Sequence, residues 1–386
     1  MTAQLDTAWK PRAQALADEL ESRGDLTDPA WKAAVAATPR HVFVPEVYEQ
    51  DTNAEWRPVD VTSPSGLNRV YSPTTLVTAL ADRGTHSEGI SSSTKPDLMV
   101  RMLEALDVHN GHKVLEIGTG TGYNAGLLSH RLGDEQVFSV DLDAELVDPA
   151  RDRLASIGLH PTLVTRDGAE GLQEHAPFDR IIATCSVPTM PRAWCEQLED
   201  GGLLLADIQL GVGAGNLALL RRDGDQLEGR FTDRWAAFML IRHHNERPRM
   251  LHAPADAGAR TRTTSTPPNP WQDNRVVWFL AHLMGLPPGV RYGMRFDPDT
   301  RQPTAGTITA PDGSHAFVML EPTPNGTWSV TETGPTPLWA AVERAQRQWR
   351  EAGEPGWTRI GLTVTPDDQV VWIDQPTSEH QWSLTA

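Results

Sequence analysis

The stretch Val114-Leu115-Glu116-Ile117-Gly118-Thr119-Gly120-Thr121-Gly122-Tyr123-Asn124 limits what this chain can fold into more than any other. A short apolar run holding one acid is followed by three alternate glycines. The chain then enters Ala125-Gly126-Leu127-Leu128-Ser129-His130-Arg131-Leu132, whose apolar residues recur at helical spacing. The pattern predicts a strand, a tight turn and a helix N-terminus. Glycine suits such a turn because it tolerates dihedrals that other residues avoid, and because a side chain would hold a ligand away from the backbone amides. A nucleotide-like ligand over the turn is the first expectation.

A dinucleotide fingerprint reads G-x-G-x-x-G. Tyr123 occupies its third glycine position here, and the glycines fall as G-x-G-x-G. That spacing, with Glu116 two residues ahead, resembles the first motif of S-adenosylmethionine-dependent methyltransferases. Downstream, Val137–Asp141 is a predicted second strand ending in an acid, which is suited to accept from both hydroxyls of a ribose. A helix from 144 to 157, a strand at Thr162–Thr165 followed by Arg166-Asp167-Gly168, a buried strand at Phe178–Thr184, and a strand after Gly201-Gly202 complete the alternation. This order predicts an α/β, doubly wound, mostly parallel sheet. Leu217–Arg221 and Ala236–Arg242 are expected as further strands.

Ahead of this core, 11–22 and 29–37 read as helices, with Asp28-Pro29 as cap and first residue of the second. Thr38–Glu46 reads as an extended, proline-bracketed segment, and 47–89 as loops and short strands. Ser91-Ser92-Ser93-Thr94-Lys95-Pro96 precedes an amphipathic helix over 97–106. One hydroxyl would cap that helix. Four in a row exceed what a cap needs, so both capping and substrate contact stay open.

Five prolines fall between 248 and 270, which reads as a linker. Beyond it we expect a helix over 271–286, strands near 306–309, 316–320 and 327–330, a helix over 338–351, and a hairpin of 359–365 with 370–374. Eight of the thirteen tryptophans lie there, so the segment holds either a core of large side chains or an aromatic face for a peptide. The expected divisions are 1–110 (N-terminal and substrate-binding), 111–247 (cofactor-binding core), 248–270 (linker) and 271–386 (accessory α+β domain).

The net charge of −17 disfavours phosphate-driven binding of nucleic acid. No apolar run reaches the length of a membrane span, and the first ten residues lack a signal-peptide pattern, so a cytoplasmic protein with no membrane partner is expected. Cys185 and Cys195 read as buried thiols. His41, His243 and His244 lack metal-ligand spacing and read as structural, so no metal is expected.

Taken in order, Arg40-His41-Val42-Phe43-Val44-Pro45-Glu46, the hydroxyl run, the glycine turn, Asp167-Gly168, Phe178-Asp179-Arg180-Ile181 and Gly201-Gly202 resemble the protein-L-isoaspartate O-methyltransferase family over roughly 10–245. The resemblance implies a Rossmann-like S-adenosylmethionine-dependent methyltransferase fold with N-terminal helices. It places Glu116, Gly118, Thr119, Gly120, Gly122 and Tyr123 around the methionine part of S-adenosyl-L-methionine. Asp141 and Leu142 fall on the ribose, and Asp167 and Gly168 near the adenine. S-adenosyl-L-homocysteine would be the product.

In the family a serine before the proline-led helix binds the substrate carboxylate, and Thr94 stands at that position here. Thr94, Ser93 and Ser92 are thus the catalytic candidates, with Ser91, Lys95, Val44 and Arg166 as substrate-binding candidates. Relatives with a long C-terminal extension modify ribosomally made peptides such as lanthipeptides, lasso peptides and graspetides. The resemblance therefore implies methylation of an aspartate in a precursor peptide, followed by succinimide and, in some relatives, isoaspartate. Repair of isoaspartate in aged proteins is the alternative. A nucleic-acid methyltransferase lacks its Asp/Asn-Pro-Pro-aromatic motif, because Ala183-Thr184-Cys185-Ser186-Val187 stands there. A non-catalytic scaffold is the remaining reading.

Overall fold

The computed structural model describes residues 2–82, 84, 87–242 and 258–384. They fall into two compact units. The first holds residues up to Thr184, Ala193–Leu205 and Arg242; the second holds Cys185–Arg192, Ala206–Ile241 and the described residues from 258 onward.

The first unit begins with α1 (Thr2–Ser22), α2 (Pro29–Ala37) and α3 (Arg40–Phe43). Asp28 caps α2 by accepting from the Ala30 amide. The segment expected to be extended instead makes the helical turn α3, which Pro39 introduces with a φ of −75°, already close to helical. Next come β1 (Val47–Gln50), β2 (Trp56–Val59), α4 (Pro64–Val70), β3 (Leu76–Asp82) and β4 (Ser87–Ser93), whose strands form a sheet in the order β2-β1-β3-β4. Ser91, Ser92 and Ser93 therefore lie on the edge strand β4, and Thr94 follows its end.

After α5 (Pro96–Ala105) come β5 (Val114–Ile117), α6 (Tyr123–Leu132), β6 (Val137–Asp141), α7 (Ala144–Ser156), β7 (Thr162–Thr165), β8 (Phe178–Val187), α8 (Arg192–Gln197) and β9 (Leu198–Gly211). Their strand order is β9-β8-β5-β6-β7, with β5 parallel to both β6 and β8, and β6 parallel to β7. This is the expected doubly wound sheet. Every residue of β5 is buried, because helices cover both faces of such a strand.

The second unit contains β10 (Ala214–Asp223), β11 (Gln226–Phe231), β12 (Arg260–Thr264), α9 (Pro270–Asp273), α10 (Arg275–Leu283), β13 (Arg291–Phe296), β14 (Pro303–Thr309), β15 (His315–Met319), β16 (Trp328–Thr333), α11 (Leu338–Glu351), β17 (Ile360–Val364), β18 (Gln369–Ile373) and β19 (Gln381–Ser383). One run of strands is ordered β19-β18-β17-β11-β10-β9, and a separate sheet is ordered β12-β16-β15-β14-β13. The hairpin of β17 and β18 pairs as expected, Leu362 opposite Val371.

Several expectations change here. Ala236–Arg242 makes only a single parallel bridge, Leu240 with Ser186, because the Ala236 amide donates to Asn216 Oδ1 and the Phe238 amide to Asp207 Oδ2, so side chains take the bonds a longer ladder would use. The hairpin partner of β10 is β11, with Leu219 opposite Arg230. Part of the expected linker is β12, paired antiparallel to β16. Residues 248–257, with His243 and His244, lie outside the described residues. The helix expected over 271–286 breaks at Asn274, whose side chain caps α10 by accepting from the Val277 amide. Cys185 and Cys195 are half-buried and form no disulfide.

The tryptophans decide between core and binding face. Trp271, Trp278, Trp339, Trp357 and Trp372 are buried, and none of the eight after 248 is exposed. Phe231, Phe279 and Trp357 meet with ring centroids 5.4 to 5.5 Å apart. Large rings form the core here. Among the described residues, no helix is long and apolar enough to cross a membrane.

Asp207 on β9 has no exposed surface, and only its Oδ2 has a partner among the described residues. Burial pushes its pKa up to about 7, partly opposed by the Phe238 amide. A carboxyl whose folded pKa exceeds its unfolded value near 3.8 favours the folded state most below pH 4, and that advantage is lost as pH rises to about 7. Asp207→Asn keeps an acceptor for the amide and removes the charge. Its stability relative to the parent protein should therefore rise by about 2–3 kcal/mol between pH 5 and pH 8. Urea unfolding at both values checks this; an equal difference at the two pH values would contradict it.

Candidate functional site

The site is built on the turn between β5 and α6, in the first unit. Gly118, Gly120 and Gly122 have φ of +99°, +51° and +86°, the left-handed region where a side chain is strained. Their surroundings differ. A Cβ on Gly118 would stand 2.6 Å from Thr184 Oγ1, and one on Gly122 would stand 3.1 Å from Ala150 Cβ, whereas nothing lies within 4 Å of one on Gly120. The outer glycines are packed into the scaffold. Gly120 opens onto free space, as a backbone that receives a ligand should.

Bonds from behind hold the turn. The amides of Gly118 and Thr119 both donate to Val140 O, at 2.8 and 3.2 Å, and Thr184 Oγ1 donates to Gly118 O at 2.8 Å. The Gly120 amide donates to Asp141 Oδ2 at 2.9 Å. Asp141 thus fixes the turn as well as standing, half-buried, at the end of β6 beside half-buried Leu142. Burial raises the Asp141 pKa, opposed first by that amide.

Glu116 is 1% exposed and faces inward. Its Oε1 accepts from Asn124 Nδ2 at 2.7 Å and its Oε2 from Ser139 Oγ at 2.6 Å, while Ser139 Oγ also lies 2.7 Å from Thr119 Oγ1. Burial pushes the Glu116 carboxyl up to about pKa 7 despite the Ser139 and Asn124 bonds. The acid ties strand, turn and helix together from the inside. Further along, Asp167 Oδ1 accepts the Ala169 amide at 2.9 Å, and Gly168 is buried with its carbonyl accepting from Trp194 Nε1 at 2.8 Å.

Strand alternation sorts the hydroxyl run. Ser91 and Ser93 are buried, while Ser92 and Thr94 are half-buried. Ser91 Oγ accepts weakly from Thr78 Oγ1 at 3.4 Å. No side chain caps α5, so capping does not explain the run.

What positions the run is Arg40, which has no exposed surface. Its Nη1 donates to Val70 O and Ser72 O at 2.7 and 3.0 Å; its Nη2 donates to Thr74 O and Thr94 O at 3.2 Å each and to Ser93 Oγ at 3.4 Å. The guanidinium also lies 5.5 Å from the Tyr123 ring centroid, and Phe43 meets that ring edge-on at 5.7 Å. One cation therefore touches both the end of the hydroxyl strand and the first helical residue after the glycine turn. Burial lowers its pKa to about 10, which leaves it charged at neutral pH.

The other substrate candidates change role. Val44 is fully buried and offers a substrate no surface. Arg166 is held by Glu174 through two bonds of 2.7 and 2.8 Å, so its fork is occupied. Lys95 Nζ lies 3.1 Å from Oδ2 of the buried Asp97. His41 Nδ1 bonds the Tyr71 hydroxyl at 2.8 Å, in keeping with a structural part. Sequence reading missed Arg40, Asn124, Ser139, Thr184 and Trp194. Arg40 sits inside the Phe-Val-Pro segment, but nothing local marks it as buried.

The family profile described as protein-L-isoaspartate(D-aspartate) O-methyltransferase (PCMT) matches residues 11–236. A protein-L-isoaspartate O-methyltransferase of Fervidobacterium nodosum is 36% identical over 139 residues, which are 34% of this chain and 67% of that protein. A solved structure of a protein-L-isoaspartate O-methyltransferase shares the fold at 20% identity and a TM-score of 0.56, over 94% of this chain and 100% of its own. A Plasmodium falciparum structure with S-adenosyl-L-homocysteine bound is 13% identical, covers 59% of this chain and 97% of its own, and has a TM-score of 0.43. With its profile matched over more than half of the sequence, the chain belongs to the protein-L-isoaspartate(D-aspartate) O-methyltransferase family.

Proposed function

We propose that this S-adenosylmethionine-dependent methyltransferase esterifies an aspartate side-chain carboxylate in a ribosomally made peptide in the cytoplasm. S-adenosylmethionine supplies an electrophilic methyl group on its sulfonium. The left-handed glycine turn, open at Gly120, with Asp141 at the end of β6 and Asp167-Gly168 after β7, fits that cofactor.

The observation that carries the reading is the pair of half-buried hydroxyls at Ser92 and Thr94, with the strand end fixed by Arg40. A carboxylate is already nucleophilic at neutral pH, so the protein need only orient one oxygen and exclude water. Hydroxyl donors orient it without neutralising it. Lys95 and Arg166, which would blunt its nucleophilicity, are engaged by Asp97 and Glu174. After esterification, the next backbone nitrogen attacks the ester carbonyl, the C–N bond of a five-membered succinimide forms, and methanol leaves with the nitrogen's proton. No catalytic base on the protein is required for methyl transfer.

A second reading is repair of isoaspartyl residues in aged proteins, and it is favoured by the fold likeness that runs through both units. Offering the full-length protein S-adenosylmethionine with a model isoaspartyl peptide and with the precursor peptide encoded beside its gene separates the two. A methyl-sized mass gain on the precursor followed by net loss of water supports tailoring. Turnover of the isoaspartyl peptide alone rejects it.

Thr94→Ala should lower turnover about 10- to 100-fold, the worth of one hydrogen bond to a charged group, while cofactor affinity by calorimetry stays unchanged and Thr94→Ser restores most activity. Loss of cofactor binding in Thr94→Ala would show the residue to be misplaced in this scheme. Arg40→Met leaves the carbonyls of Val70, Ser72, Thr74 and Thr94 short of a donor and should cost about 2–4 kcal/mol of stability in urea unfolding. An unchanged midpoint would mean water replaces the guanidinium without cost.

A further inference from the structure

On α11 of the second unit, Glu343, Gln346, Arg347 and Arg350 share one helical face at spacings of three, four and seven. With Arg344 and Glu351 from the same helix and Thr266 from the segment after β12, they line a groove of about 680 Å³. At its floor lie Gln346, 6% exposed, and Thr266, 3% exposed, whose carboxamide and hydroxyl are not hydrogen-bonded by other described residues and stay open to solvent.

The rim is cationic in a chain of net charge −17. Arg347 and Arg350 are exposed, and their side chains form no ion pair or hydrogen bond among the described residues. Arg344 is anchored through Met284 O at 2.8 Å. The acids of the groove are engaged: Glu343 Oε1 accepts from Arg262 Nη1 at 2.5 Å and Thr264 Oγ1 at 2.6 Å, and Glu351 Oε2 accepts from Gln348 Nε2 at 2.6 Å.

We propose that this groove binds an acidic peptide segment, with carboxylates on Arg347 and Arg350 and peptide amides on Gln346 and Thr266. A guanidinium fork matches a carboxylate, and a carboxamide can donate to a peptide carbonyl and accept from a peptide N–H at once. A small inorganic anion would satisfy the arginines and leave the floor unmatched. The second unit thereby supplies a binding site for an acidic segment of the peptide substrate. The inference rests on the reading that the substrate is a peptide, and it is independent of how the methyl group is transferred.

The test is fluorescence anisotropy of the full-length protein with a labelled aspartate-rich peptide and with its asparagine counterpart, at low and at physiological ionic strength. The acidic peptide should bind more tightly and lose affinity with added salt. The double variant Arg347→Glu/Arg350→Glu should weaken it about tenfold or more, and Gln346→Leu should weaken it at both salt levels. The two arginines are exposed, so charge reversal should lower the melting temperature only slightly, through acids in the last turns of α11. Equal affinity for the asparagine peptide, indifference to the charge reversal, or preferential binding of phosphatidylserine vesicles over the free peptide overturns the proposal. Turnover of the precursor by the unaltered protein is a separate readout. Turnover without groove-dependent binding rejects the groove alone, and groove-dependent binding without turnover rejects the tailoring reading alone.

Discussion

A guanidinium held in a protein interior without a carboxylate against it is costly unless its donors find acceptors. Arg40 meets most of it: its two Nη groups reach four backbone carbonyls and one serine hydroxyl and the guanidinium lies over the face of Tyr123, while Nε has no partner among the described residues. Those acceptors come from the end of α4, the approach to β3 and the end of β4, while the ring opens α6. Satisfying one buried charge therefore fixes the hydroxyl strand relative to the glycine turn. The proposed methyl transfer depends on that relation, because its two halves would be useful only with their spacing fixed.

The same economy appears behind the turn. Glu116, Ser139, Asn124 and Thr119 form one buried chain of hydrogen bonds, and Asp141 and Thr184 close the turn from either side. These groups leave Gly120 uncovered. The acids read from the sequence as ligand contacts are thus also the frame of the turn, and Glu116 faces wholly inward. The second unit follows a different logic: its tryptophans build a core, and α11 carries exposed arginines over a groove.

Much of the fold was legible because it is written in periodicity. The run of apolar residues in β5, the glycine spacing after it and the acid ending β6 are local patterns, and the structure places each where the pattern indicates. The whole of α11 was legible for the same reason. The failures share one cause. Ala236–Arg242 has a strand-like sequence but gives its Ala236 and Phe238 amides to Asn216 and Asp207, and 271–286 breaks where Asn274 caps α10. In both, a polar side chain from elsewhere or from the middle of the segment outbids the ladder or helix.

By itself the sequence determined the doubly wound sheet, the glycine turn and the family to which the chain belongs, because these depend on residues adjacent in the chain. It also supplied the hydroxyls from Ser91 to Thr94. Tertiary structure decided their burial: alternation along β4 leaves Ser92 half-buried between buried Ser91 and Ser93, and Thr94 is half-buried just past the strand's end. It decided too that Val44 is core and that Arg166 belongs to Glu174. It made Arg40 the centre of the site, because the value of a buried charge depends on acceptors that lie thirty or more residues away along the chain and are brought to it only when the first unit folds.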